Sequence, residues 1–208
     1  MKVVVFGANG RTGKYIVQYA LDAGHEVAAY VRDKNKLAVS HPQLAIIEGD
    51  VYDQQKIEAA IAGRDVVISA LGQSDISGEV NLMSDAMKLI VPAMKNNGVK
   101  RVLAIGGLGV LQANETTVRM DMQGFPAMYR GVSEGHFKVY MVLKDSGLDW
   151  TFVCCPDIPD APRTGDYKFK KDYAPGGKFS INTGDIADFM VKEMEANNFL
   201  NTRVGLSN

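Results

Sequence analysis

Only two cysteines occur in the sequence, Cys154 and Cys155. Because they are adjacent, an ordinary structural disulfide between them is geometrically poor, and two buried free thiols in a reducing compartment are expected. No apolar run approaches the ~20 residues that a membrane span requires. Met1 leads within one residue into a β-branched run rather than a signal peptide, so a cytoplasmic protein is expected. An excess of one charge sign is also missing, since 23 Lys and Arg face 24 Asp and Glu. That balance provides no broad basic field for nucleic acid or an anionic membrane, so any phosphate has to be held locally. No His/Cys/Asp cluster has metal-ligand spacing, and no metal is expected. Repeats, low-complexity tracts and linkers are absent as well. The 208 residues, 46% hydrophobic and 23% charged, suit one globular domain over residues 1–208.

What is present is a regular beat of strand and helix. Lys2–Phe6 is a β-branched run ending at Gly7, followed by a helix-length stretch from Arg11 to Ala23 closed by Gly24. Glu26–Val31, Leu44–Ile47 and Asp65–Ser69 read as further strands, separated by helix-length segments. A helix over about 79–96, a strand at Arg101–Ile105, a helix over about 131–145 and a strand at Asp149–Cys154 continue the pattern. Parallel strands buried on both faces read as continuous apolar runs and need crossover helices, so the alternation predicts an α/β fold. That fold is a single-domain, Rossmann-like, doubly wound parallel sheet with helices on both faces. Short strands at Asp166–Lys171 and Thr202–Leu206 are expected near the end, with a helix from Thr183 capped by Thr183 or Asp185. Residues Val110 to Arg130, with Met120, Met122, Met128, Phe125 and Pro126, have no clear period. They form either a substrate-side loop over a ligand or a surface insertion.

The sharpest chemical signal is Phe6-Gly-Ala-Asn-Gly-Arg-Thr-Gly13, which spaces Gly7, Gly10 and Gly13 three residues apart between the first strand and first helix. Gly7 allows the tight turn, Gly10 lets a pyrophosphate approach the backbone, and Gly13 lets the helix pack close. The free N–H groups around Asn9, Arg11 and Thr12, and the positive helix end, then face an anion. In this context the spacing predicts dinucleotide binding. At the end of the second strand an NAD-preferring protein usually has an acidic residue for the ribose diol, whereas this chain has Val31-Arg32-Asp33. Arg32 can fork onto a 2′-phosphate, with Lys36 and Arg11 adding charge, so NADPH is expected over NADH. The alternative is that Arg32 is a solvated charge and Asp33 takes the ribose.

Asp50 and Val51 follow the third strand where an adenine edge would lie. Ala70, Leu71 and Gly72 follow the fourth, and Ile105 and Gly106 the fifth, as small or apolar strand ends that let a cofactor approach. All lie on the carboxyl edge, where ligands of open α/β sheets bind.

With these residues the chain resembles the atypical short-chain dehydrogenases of the NmrA-like group, in particular the NADPH-dependent flavin reductases and biliverdin-IXβ reductases. The resemblance runs through the segments above, Val132-Ser-Glu-Gly-His136, Ser146-Gly-Leu148 and Pro156-Asp-Ile158. It implies that Pro156, Asp157 and Ile158 lie at positions beside the nicotinamide, and that His136 matches a histidine at the cofactor and substrate site. Two departures stand out: Gly107 replaces a serine next to the nicotinamide, and Asp157 replaces a histidine between the proline and isoleucine.

Tyr140-Met-Val-Leu-Lys144 also fits the Tyr-x-x-x-Lys spacing of ordinary short-chain dehydrogenases, in which lysine lowers the tyrosine pKa. The resemblance instead puts His136 at the tyrosine position, and both His136 and Tyr140 stand as catalytic candidates. His25 and His41 read as loop residues. The expected function is an oxidoreductase passing hydride from NADPH to a small planar acceptor such as a flavin, a tetrapyrrole or a quinone. The alternatives are a non-catalytic NADP(H)-sensing module and, last, a sugar-nucleotide epimerase or reductase using Tyr140 and Lys144.

Overall fold

The β-branched run at Lys2–Phe6 forms β1, and from Val3 onward every residue of it is buried, as a strand covered on both faces requires. In the computed structural model, which describes all residues except Ala38 and 74–78, one eight-stranded sheet spans the chain. The strands are β1 (Lys2–Phe6), β2 (Glu26–Val31), β3 (Leu44–Glu48), β4 (Val66–Ser69), β5 (Arg101–Gly107), β6 (Asp149–Cys155), β7 (Lys168–Lys171) and β8 (Thr202–Ser207). Their order is β3-β2-β1-β4-β5-β6-β8-β7. The helices are α1 (Gly13–Asp22), α2 (Gln54–Ile61), α3 (Leu82–Asn96), α4 (Arg130–Lys144) and α5 (Thr183–Ala196). Chain order reverses between β1 and β4, the switch point at which open α/β sheets bind ligands.

Alternation along β1 sorts the layers. Val3 and Val5 pack with Ile16, Val17 and Ala20 of α1 and with Ile186 and Met190 of α5. Val4 and Phe6 pack on the opposite side, in the cluster formed with α2, α3 and α4. The doubly wound architecture is therefore present, with one departure: β7 runs antiparallel to β8 at the sheet edge. No helix separates this short strand from β6, and α5 joins it to its partner β8. It starts at Lys168 rather than Asp166: the ladder with β8 begins at Lys168 opposite Ser207, and the Asp166 carbonyl accepts from the Asn208 side chain at 3.1 Å.

The expected cap of α5 is replaced. Asn182 occupies the cap position without a side-chain cap bond. Thr183 donates to the Ala161 carbonyl at 2.9 Å, and Asp185 accepts from the Thr164 and Gly165 amides at 2.8 and 2.9 Å. Both side chains tie the preceding loop to the helix. α3 begins at Leu82, three residues later than expected. Residues 79–81 precede it outside the helix, and the Glu79 carbonyl accepts from Gln73 at 3.1 Å. His25 lies in the turn after α1 but is buried, with Nδ1 3.1 Å from the N-terminal amine and Nε2 3.0 Å from Glu195. Cys154 and Cys155 are free and buried, and burial pushes both thiols up in pKa. No helix among the described residues is long and apolar enough to cross a membrane.

Candidate functional site

Strand register sets the site. Phe6 pairs with Tyr30 and Ser69, Ser69 with Ala104, and Gly107 with Cys155. The residues that follow, Gly7, Ala70 and Pro156, therefore emerge at one edge of the sheet together with Val31, Ile105 and Gly106. At the switch point the backbone of Gly7 has φ +77°, and a Cβ there would lie 2.7 Å from the Ala70 carbonyl oxygen. A Cβ on Gly13 would collide with the Gly7 carbonyl oxygen, so α1 packs directly onto the turn. The Gly10 amide donates to the Gly7 carbonyl at 3.0 Å, and Lys14 returns to Gly10 at 3.1 Å. Among the described residues, the amides of Arg11, Thr12 and Gly13 have no backbone acceptor. Three unspent donors at a helix start form a cradle for an anion.

A cavity of about 170 Å³ opens from this turn, lined by Gly7, Asn9, Gly10, Tyr30, Val31, Arg32, Gly49, Val51, Ala70, Leu71, Gly72 and Leu82. A Cβ on Gly72 would meet nothing within 4 Å, so that strand end is open space. A larger hollow of about 440 Å³ lies at the opposite, amino-terminal edge beside Arg64, Lys100 and Asp149. It contains none of the strand-end residues, and its size does not mark a dinucleotide site.

Arg32 is exposed and lines the cavity. Asp33 is engaged elsewhere: its carboxylate accepts from the Asn35 amide at 3.0 Å and lies 3.9 Å from Lys36. Lys36 thus stands by Asp33 one turn beyond Arg32. Arg11 is not brought to Arg32. Its Nη1 donates to the Ile158 carbonyl at 2.9 Å, and neighbouring Lys14 pairs with Asp160 at 2.8 Å. Together they join the glycine turn to the segment after β6. Asp50 accepts from the Tyr52 amide at 2.9 Å through its side chain. Its carbonyl accepts from the Tyr30 hydroxyl at 2.7 Å, so Tyr30 holds the turn after β3 from beneath. Burial, with Asp53 and Asp50 nearby, pushes the Tyr30 pKa up to about 12. Tyr30 and Leu82 were not singled out from sequence, where each reads as an ordinary apolar position of a strand or helix.

At the other end, the ring of Phe152 lies where a Cβ on Gly106 would be. A Cβ on Gly107 would lie 2.8 Å from Nδ1 of His136 on α4. That nitrogen is buried without a hydrogen-bond partner among the described residues, and burial pushes the His136 pKa down to about 4, leaving a neutral imidazole near pH 7. Tyr140, one helical turn on, packs into an aromatic group with Phe137, Trp150 and Phe152, its ring centroid 5.8, 5.8 and 6.4 Å from theirs. The Arg203 guanidinium lies 4.7 Å from the same ring. No hydrogen bond of the Tyr140 hydroxyl appears among the described residues, and Lys144 ends the helix.

Residues 110–130 are more ordered than their lack of period suggests. Short 3₁₀ turns cover Leu108–Val110, Arg119–Asp121 and Ala127–Tyr129, and Asn114 Oδ1 accepts from the Thr116 and Thr117 amides at 3.0 and 2.9 Å. The segment ends at Tyr129, whose hydroxyl donates to Asp157 Oδ1 over a long 3.4 Å. It therefore reaches the strand end that holds Pro156, Asp157 and Ile158.

Residues 7–197 match the profile of a family described as NAD(P)H-binding. The chain is 31% identical over 204 residues to YwnB of Bacillus subtilis (strain 168), an uncharacterized protein, covering 94% of this chain and 92% of the relative. It is 28% identical to the phenylcoumaran benzylic ether reductase Betv6 of Betula pendula, covering 71% of this chain. The match spans about half (53%) of that reductase's length. Among solved structures it superposes on SP1627 of Streptococcus pneumoniae TIGR4, provisionally called an NADH-flavin reductase. The TM-score is 0.86 at 29% identity, covering 99% of this chain and 98% of the other.

Proposed function

The chain belongs to the NAD(P)H-binding family, and we propose that it is a reductase that binds NADPH along the carboxyl edge and reduces a planar conjugated acceptor such as a flavin or quinone. The observation that carries this reading is the contact of Gly7 with Ala70 at the switch point. It opens a glycine-floored cradle that continues to Arg32, while Gly107 and Pro156 stand at the ends of β5 and β6 along the same edge.

The amides of Arg11, Thr12 and Gly13 are suited to the pyrophosphate. Arg32 provides a planar fork for a 2′-phosphate, and with Asp33 engaged by Asn35 the arginine is the unengaged group at that strand end among the described residues. Asp50 and Val51 flank the adenine side, and Pro156, Asp157 and Ile158 flank the nicotinamide side. The bound cofactor supplies hydride. Because His136 is held neutral, its part is that of a wall and hydrogen-bonding partner rather than a standing acid, and the acceptor's proton comes from water. Residues 110–130 form the outer wall, and the protein contributes chiefly positioning.

The test is titration of the purified protein with NADPH and NADH, followed by FMN, riboflavin or a quinone while the absorbance of the reduced nicotinamide is recorded. Tighter binding of NADPH and acceptor-dependent oxidation are expected. Tight binding without oxidation by any acceptor would replace this reading with that of an NADP(H)-sensing module.

A further inference from the structure

Asp157 emerges at the end of β6 with its main chain tied down: its carbonyl accepts from the Ile181 amide at 2.9 Å, and it bridges to Ser180. Its side chain is exposed, and its one partner among the described residues is the Tyr129 hydroxyl at 3.4 Å. No cation pairs with it among those residues, although Arg11 is close enough in the fold to bond the carbonyl of the next residue, Ile158. Since the tyrosine spends its proton on Oδ1, the pair turns only hydrogen-bond acceptors outward: the phenolic oxygen and the unengaged Oδ2. Met128 and Phe179, next in sequence to Tyr129 and Ser180, are exposed and apolar, at 69% and 58%. An acceptor-only polar centre is complementary to a molecule whose edge carries a donor.

We infer that Asp157, oriented by Tyr129, selects acceptors that present an N–H or O–H donor at the edge nearest β6, as a neutral isoalloxazine does through its imide. An acceptor with an anionic group at that edge meets an unneutralised carboxylate and is disfavoured. The inference rests on the reductase reading for its biological meaning, but its evidence is binding. Asp157 touches the acceptor, and Tyr129 is a positioning residue.

The experiment titrates the full chain, saturated with NADP⁺, into lumiflavin and into 3-methyllumiflavin, which lacks the imide N–H, and follows flavin fluorescence. The wild type is expected to bind lumiflavin at least about tenfold more tightly, the size of one charge-assisted hydrogen bond. In Asp157→Leu the preference falls to within about twofold, and Tyr129→Phe gives an intermediate value; both side chains are solvent-facing enough for the variants to fold. Equal binding of the two flavins by the wild type, a preference that survives in Asp157→Leu and is therefore steric, or no binding of either flavin would each overturn the inference. NADPH oxidation measured in parallel separates the two readings. Selective binding without turnover removes the reductase and keeps the subsite, whereas turnover without selectivity does the reverse.

Discussion

The backbone of Gly107 faces the imidazole of His136 so closely that a Cβ would lie 2.8 Å from Nδ1. The missing side chain at the end of β5 is what allows the half-buried α4 ring to set Nδ1 against the strand and out of water. Gly107→Ala should therefore push the ring outward and raise the His136 pKa from about 4 by at least one unit toward 6.5. The measurement is the pH titration of the histidine C–H resonances by NMR, and an unmoved midpoint would contradict the contact as the cause.

The same burial makes stability depend on pH in a fixed direction. The folded pKa of His136, about 4, lies below the ordinary 6.5, so the unfolded chain binds more protons between these values. Stability from this group is complete above pH 6.5 and falls as the pH drops toward 4, by at most about 1.4 kcal/mol per pH unit. Urea unfolding of the wild type and His136→Gln at pH 7 and pH 5 should show a larger acid loss in the wild type.

Arg32 is exposed at the cleft and Asp33 is already bonded to Asn35. Arg32→Ala should weaken NADPH about 10- to 100-fold, the size of lost charge-assisted bonds, while changing NADH by less than about threefold. Calorimetric titration with both cofactors decides it; equal losses would assign Arg32 a general electrostatic part.

Far from the cleft, Arg101 and Glu193 form a buried pair at 3.1 Å, and Glu193 also accepts from the Phe199 amide at 2.8 Å. Glu193→Ala strands a buried guanidinium and should cost about 3–5 kcal/mol. The double variant Arg101→Met/Glu193→Leu should be less destabilised than that single variant. Chemical denaturation of the set measures this, and additive losses would count against the pair as a coupled unit.

Tyr140 lies among Phe137, Trp150 and Phe152 with no hydrogen bond to its hydroxyl among the described residues. Tyr140→Phe should keep NADPH oxidation within about threefold, because a general acid in this role contributes about 10²-fold or more. Tyr140→Ala should cost about 3–5 kcal/mol of stability through the cavity left behind. A hundredfold fall in rate for Tyr140→Phe would restore the Tyr-x-x-x-Lys reading.

Local sequence determined the sheet and the glycine-rich turn at its carboxyl edge. The run Val3-Val4-Val5-Phe6 is satisfied by burial on both faces, and Gly7 and Gly13 are required by the close packing of the turn against Ala70 and of α1 against Gly7. Strand ends at Ala70, Gly106 and Pro156 follow because parallel register is propagated from strand to strand. Tertiary structure decided where long or polar side chains spend their bonds. Arg11 went to the Ile158 carbonyl rather than to Arg32, Thr183 and Asp185 tied down a loop instead of capping α5, and β7 turned back antiparallel. It also brought Tyr129 to Asp157 across 28 positions and set His136 on Gly107. Periodicity reports which face of an element is buried, but a hydrogen-bond partner distant in sequence is chosen only once the elements have packed.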